Sequence, residues 1–219
     1  MGNDDYYASA YECVIGTGGV GYVASIYHKM LERGHSKKFE VCLELGAGNG
    51  RHFQYVKHDF DLYISSDIRK VTLDTFRSDD DRHVFQILDA ENLKSIKNES
   101  IDRLVVTCVL AHLHNPEKAL LEWRRVLKIG GVLDLYAPCE PGFLLGLAQS
   151  LTTRRKVQKL GFNYESIQYR EHRNHFPLMR MLLREIFVSD YCQIKSFPNR
   201  IFGWQLRLFD VYRIVKSGK

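Results

Sequence analysis

The chain has 219 residues, 45% of them hydrophobic and 26% charged, which suits one α/β domain with its own core. No apolar run approaches the roughly 20 residues needed to span a bilayer, and the acidic start Met-Gly-Asn-Asp-Asp-Tyr-Tyr lacks a basic-then-apolar export signal. The net charge of +5 is uneven: residues 151–219 hold 14 Lys/Arg against 5 Asp/Glu, residues 1–150 hold 17 against 21. A basic last third suits phosphate, anionic lipid, nucleic acid or plain solvent. The five cysteines, Cys13, Cys42, Cys108, Cys139 and Cys192, never pair as Cys-x-x-Cys. They suggest neither a disulfide framework nor a zinc site, and the expected location is a reducing cytoplasm.

Residues 1–38 read as an N-terminal cap. Tyr6, Tyr7 and Tyr11 precede Gly16-Thr-Gly18-Gly19-Val-Gly21, and Tyr22–Arg33 has helical spacing through Val23, Ile26, Tyr27, Met30 and Leu31. Gly16-x-Gly18-x-x-Gly21 spells a dinucleotide fingerprint, but only Cys13, Val14 and Ile15 precede it, too little for a buried strand. The run is therefore expected to be a flexible loop before a covering helix, with the tyrosines available to close a lid.

From residue 39 strands and helices alternate. Phe39–Leu45 is the first strand, and Gly46, Gly48 and Gly50 follow it directly. Glycines there let the backbone turn sharply and approach a ligand. A helix over Asn49–Lys57 would aim unpaired N–H groups at that ligand. Phe60–Ser66 is strand two, Val71–Phe76 a helix, His83–Leu88 strand three and Ile101–Val109 strand four. Pro116 opens an amphipathic helix through Lys128, Gly130-Gly131 ends it, and Val132–Ala137 is strand five. Beyond Pro138 the rhythm breaks. Phe143–Leu151 and Phe176–Phe187 read as helices, the first packed in the core rather than lying on a membrane. Tyr191–Ser196 and Gln205–Val215 read as an antiparallel closing pair. The alternation predicts a doubly wound, Rossmann-like sheet with helices on both faces, with no linker dividing the chain.

In such a sheet ligands lie beyond the carboxyl ends of the strands. Glu44, Asp67 and Asp89 sit at those ends, and Asp67 lies 19 residues past Gly48, the interval at which an acid reaches ribose hydroxyls. The competing explanation for each acid alone is turn capping.

Here the sequence resembles the class I S-adenosylmethionine-dependent methyltransferases. The resemblance covers residues 39–139 and rests on three acidic motifs plus one long segment. The motifs are Glu44-Leu-Gly46-Ala47-Gly48-Asn-Gly50, Ser66-Asp67-Ile68 and Leu88-Asp89-Ala90; the segment runs Thr107-Cys-Val-Leu-Ala-His112-Leu-His-Asn-Pro116 and on to Gly131. It implies a seven-stranded sheet of order 3-2-1-4-5-7-6, strand 7 antiparallel, with S-adenosyl-L-methionine as cofactor and S-adenosyl-L-homocysteine as product. By position, Gly46, Ala47, Gly48 and Gly50 would pass beneath the methionine part, oriented by Glu44. Asp67 and Ile68 would hold the ribose, Asp89 and Ala90 the adenine. His112 would line the pocket, where Ala111 replaces the acid that the family often has. The layout becomes a cap (1–38), a cofactor core (39–139), an acceptor-site insertion (140–190) and a closing hairpin (191–219).

Methyl transfer to a hydroxyl benefits from a positioned base, and His112, His172 and His175 are the candidates, with Glu171 available to orient one. His114 stands nearby. The insertion mixes aromatics (Phe143, Phe162, Tyr164, Tyr169, Phe176) with cations (Arg154, Arg155, Arg170, Arg173) and holds no RNA-binding motif. The expected acceptor is a small molecule, a sugar or glycan precursor favoured, with an ether as product. The alternatives are a dehydrogenase, a non-catalytic cofactor- or partner-binding protein and an RNA-directed methyltransferase.

Overall fold

The computed structural model of the chain describes residues 11–70 and 76–218. Tyr6, Tyr7 and most of the helix expected at Val71–Phe76 fall outside these residues. The described part forms a seven-stranded sheet of order β3-β2-β1-β4-β5-β7-β6. Its strands are β1 (Phe39–Leu45), β2 (Phe60–Asp67), β3 (His83–Ile87), β4 (Ile101–Thr107), β5 (Leu127–Pro138), β6 (Tyr191–Phe197) and β7 (Phe209–Val215). β1 pairs in parallel with β2 and β4, and β7 runs antiparallel to both β5 and β6, as the closing pair predicted.

The central strands β1, β4 and β5 are buried, while the edge strands β3 and β6 are largely not. Leu43, Leu45, Leu104, Val106, Leu133 and Leu135 join one apolar cluster with Trp123. Trp123 lies on α3 (Pro116–Val126), after the N-terminal helices α1 (Tyr11–Gly16) and α2 (Gly18–Glu32). The Asn115 side chain caps α3 by accepting from Lys118 N at 3.0 Å, with Pro116 at the first turn where no donor is missed. Trp123 Nε1 donates to Ala90 O at 2.9 Å, so the core helix also fixes the turn after β3.

Three local expectations are corrected. The Gly16–Gly21 run is no loop: α2 begins at Gly18, because helix formation continues through small residues once Leu31, Val23 and Ile26 pack on β7. The element after the glycines is a 3-10 helix, Arg51–Tyr55, too short to act through a helix dipole. Gly130 and Gly131 do not end α3, which stops at Val126; they lie in β5, where the register against β4 jumps from Leu127 to Val132.

The insertion forms four helices, α4 (Phe143–Leu151), α5 (Thr153–Lys159), α6 (Tyr164–Glu171) and α7 (Phe176–Ile186). α7 joins the core through Phe176, Met179, Leu182 and Leu183. α4, expected in the core, has no buried residue. The cap meets the insertion through a separate cluster of Val14, Val157 and Ile167, and Lys156 Nζ bonds Thr17 O at 2.5 Å. No described helix is long and apolar enough to cross a membrane.

Candidate cofactor and acceptor site

A cavity of about 470 Å³ opens at the carboxyl ends of β1, β2 and β4. It is lined by Glu44, Gly46, Ala47, Gly48, Asp67, Ile68, Asp89, Ala90 and His112, so nine of the predicted positions converge on one space. Gly50, His172 and His175 are not among its lining residues. Gly50 instead caps the 3-10 helix in a left-handed conformation, and His175 is exposed at the start of α7.

The glycine turn follows from close packing. Gly46 has φ +68°, and a Cβ there would stand 2.1 Å from Val109 Cγ2. Only glycine lets the β1 and β4 loops meet there. Ala47 N donates to Ser66 O at 2.8 Å and Gly48 N to Asp67 Oδ2 at 3.2 Å, locking the turn to the end of β2. Asp67 is buried, and both its oxygens are occupied. Oδ1 accepts from Arg69 N and Nε at 3.0 and 3.1 Å, and Oδ2 accepts also from Arg69 Nη2 at 3.3 Å. Asp89 is exposed and accepts from Glu91 N at 2.9 Å.

Among the described residues, three that line the cavity carry a buried atom without a hydrogen-bond partner: Glu44 Oε1, His28 Nε2 and His52 Nε2, the last within ion-pair distance of Glu32. Burial pushes the Glu44 carboxyl up, and Tyr63 donates to its other oxygen at 3.0 Å. His28 was not foreseen. It stands on α2, its Nδ1 is 2.9 Å from His52 Nδ1, and His52 Nε2 lies 2.8 Å from Glu32 Oε1. Glu32 is held charged, down to about 2, by His52 and Arg103 against the cost of burial. A carboxylate only accepts, so His52 carries its proton on Nε2 and His28 donates from Nδ1. The His28 Nε2 lone pair is then a buried acceptor without a partner. Burial, and then His52, lowers the His28 pKa to about 2.

Arg103 secures this relay from below. It is fully buried and bonds Glu32 Oε1 at 2.7 Å and Asp134 Oδ2 at 2.9 Å, tying α2 to the sheet. Only an acid ending a helix and an arginine inside a strand signalled this in the sequence, and each alone reads as a surface residue.

At the other end of the cavity the loop after β4 is clamped by the insertion. Arg173 N and Asn174 N donate to Ala111 O at 2.8 and 3.0 Å, and Asn174 Nδ2 donates to Leu110 O and Leu113 O. Ala111 thus works through its carbonyl. His112 Nδ1 donates to Glu171 O at 3.0 Å, which leaves Nε2 unprotonated, 4.0 Å from Cys108 Sγ. Glu171 therefore orients His112 by its backbone, not its carboxylate. Burial, then His172, lowers the His112 pKa to about 4. Cys108 sits at φ +60°, a strained conformation for a side chain, and burial pushes its thiol up to about 12.

His172 stands edge-on to His112, ring centroids 4.6 Å apart, and its Nδ1 bonds Glu140 Oε2. Glu140 is buried and also accepts from Gln149 and Gln168; these bonds hold its carboxyl below the usual range although burial opposes them. Sequence reasoning missed Glu140, because an acid between Cys139 and Pro141 reads as a turn.

The residues fit an adenosyl amino acid. The cavity has a buried carboxylate for a diol, two unpartnered acceptors for an ammonium, and a volume within the roughly 300–1,000 Å³ of small-molecule sites. Among the described residues no cluster could hold a metal ion.

Residues 43–135 match the family model described as a methyltransferase domain. The chain is 32% identical over 140 residues to the hybrid PKS-NRPS synthetase poxE of Penicillium oxalicum, covering 58% of this chain and 3% of that one. It is 30% identical over 108 residues to the thiol S-methyltransferase TMT1B of Rattus norvegicus, covering 42% and 40%. The chain thus spans well under half the length of these relatives. Its fold superposes on an S-adenosylmethionine-dependent methyltransferase of Thermotoga maritima with a TM-score of 0.65 and 20% identity, covering 97% of this chain and 98% of that one.

Proposed function

We propose that this chain is a class I S-adenosylmethionine-dependent methyltransferase that methylates a small-molecule acceptor, and that the acceptor atom is a hydroxyl of a sugar or glycan precursor. The observation that carries the reading is one cavity whose lining includes both a buried carboxylate, Asp67, and an unprotonated imidazole nitrogen, His112 Nε2. S-Adenosylmethionine supplies an electrophilic methyl group on a sulfonium, displaced in line to leave S-adenosylhomocysteine.

The chain's own residues align and deprotonate. Asp67 accepts from the ribose hydroxyls, Asp89 and Ala90 border the adenine, and Glu44 with His28 faces the methionine ammonium. Burial holds His112 neutral at neutral pH, its pKa lowered to about 4. Nε2 accepts a hydrogen bond from the acceptor and orients it while Glu171 O holds Nδ1–H, and the proton passes through Nε2 as the methyl transfers. His172, backed by Glu140, faces the His112 ring and fixes its orientation. Near-attack alignment supplies most of the acceleration.

The similarity to a thiol S-methyltransferase favours a second reading, in which the acceptor atom is a thiol with the same need for deprotonation. Labelled-methyl transfer to nucleotide sugars, phenols, alkyl thiols and RNA separates the readings. Transfer to a sugar hydroxyl, reduced at least about a hundredfold in His112→Ala, is the expected result. Failure of S-adenosylmethionine to bind in calorimetry would sink both.

A further inference from the structure

The insertion carries an apolar face that the fold leaves uncovered. Phe143, Leu147 and Leu151 recur every fourth residue of α4 and are 68%, 46% and 53% exposed. That spacing puts them on one side of the helix. A Cβ at Gly146 would meet nothing within 4 Å, so this side is open. The turn before β7 lies beside the start of α4, where a Cβ at Gly142 would come within 3.4 Å of Gln205, and it leaves Ile201, Phe202 and Leu206 exposed. Monomeric proteins rarely show so contiguous an apolar surface without a partner.

Charge selects the partner. Between Pro141 and Tyr164 the chain has Arg154, Arg155, Lys156 and Lys159 and no Asp or Glu. Arg155 and Lys159 are exposed on α5, which follows α4 after one residue, and Arg200 is exposed beside Ile201, whereas Arg154 is ion-paired with Glu165. Apolar side chains edged by cations match an anionic lipid interface, where the apolar groups enter below the headgroups. A second copy of the chain would set the same cations against one another.

We propose that α4 and the Ile201–Leu206 turn dock this protein on an anionic membrane surface. The opposite side of α4 backs onto the site, where Gln149 donates to Glu140, the residue behind His172.

The test is flotation of the full chain with vesicles of phosphatidylcholine, alone or mixed with phosphatidylserine. Binding to the mixed vesicles, at least about tenfold weaker to phosphatidylcholine alone and released by salt, is expected. Phe143→Ser with Leu147→Ser should weaken it about tenfold or more, as should Arg155→Glu with Lys159→Glu, with thermal unfolding unchanged because all four residues are exposed. No binding to mixed vesicles, or binding that both double variants retain, overturns the proposal. So does light scattering that shows a dimer abolished by the Phe143 and Leu147 changes. Vesicle binding needs no cofactor, so its failure is separable from failure of the methyl-transfer reading.

Discussion

The occupied state of Asp67 makes a quantitative demand on cofactor binding. A ribose diol must replace the Arg69 side chain on a carboxylate that already accepts four hydrogen bonds. The Arg69 side chain is 38% exposed, so its ion pair is worth about 0–1 kcal/mol and yields easily. Each charge-assisted bond from a ribose hydroxyl is worth about 1.5–3 kcal/mol. Asp67→Asn keeps one acceptor oxygen without charge, and its net loss should be about 2–3 kcal/mol, roughly 30- to 150-fold in Kd. Arg69→Ala removes the competitor and should tighten binding, by no more than about fivefold. Titration calorimetry with S-adenosylmethionine and S-adenosylhomocysteine reads both values, with thermal unfolding as the control for folding. Asp67→Asn within about threefold of the parent would refute the assignment of Asp67 to the ribose. Arg69→Ala that weakens binding as much as Asp67→Asn would make the guanidinium the ligand contact instead.

Other predictions follow from single contacts. Gly46→Ala combines φ +68° with a Cβ 2.1 Å from Val109 Cγ2, and should destabilise the fold by about 2–4 kcal/mol in urea unfolding. Val109→Ala added to it should restore part of that loss, and no restoration would place the strain elsewhere. His28→Asn should weaken S-adenosylmethionine about tenfold while 5′-methylthioadenosine, which lacks the amino-acid end, binds as before; equal weakening of both would remove His28 from the methionine end. His83 is buried neutral with its pKa lowered to about 4, so it gains its proton only on unfolding between about pH 4 and 6.5. Its contribution is complete above about pH 6.5 and is lost as pH falls towards 4. Between pH 7 and 5 unfolding should lose about 2 kcal/mol that His83→Gln does not lose.

The convergence of Glu44, Gly46, Asp67 and Asp89 on one cavity was legible because its signals are local. Apolar runs ending in Gly46, Asp67 and Asp89 place each residue by strand geometry alone, and parallel pairing then brings the ends together. β6 and β7 pair antiparallel as read, but β7 starts at Phe209 rather than Gln205, because Trp204–Leu206 turn as a 3-10 helix within a longer connection. What stayed illegible depends on distant partners. Glu32, His52 and His28 form their relay only because Arg103, 71 residues beyond Glu32, bonds its carboxylate from within β4. The Gly16–Gly21 run misled for the same reason, since glycine count argues for a loop and only packing of α2 on β7 overrides it. Helix α4 misled in the opposite direction. Its composition asks for burial, but burial needs a surface to pack on, and the neighbouring α7 had already filled the core through Phe176 and Met179.

The two ends of the cavity are therefore held by different means. At the Asp67 end the walls are strand termini and backbone bonds, which leave the ligand little room to differ. At the His112 end the loop's own His112 N to Val109 O bond is joined by supports from the insertion: Glu171 O on His112, Arg173 and Asn174 on Ala111, and Glu140 on His172. Loss of insertion packing should thus reach the proton-accepting nitrogen before it reaches the cofactor. Glu140→Gln, which keeps the size of the side chain but not its charge, tests this order. It should leave S-adenosylmethionine affinity within about twofold, because no lining residue of the cofactor end touches Glu140. Transfer should fall about tenfold or more, as kcat rather than KM, because His172 no longer holds the His112 ring. A fall confined to cofactor affinity would show that the insertion supports the whole cavity and not the acceptor end alone.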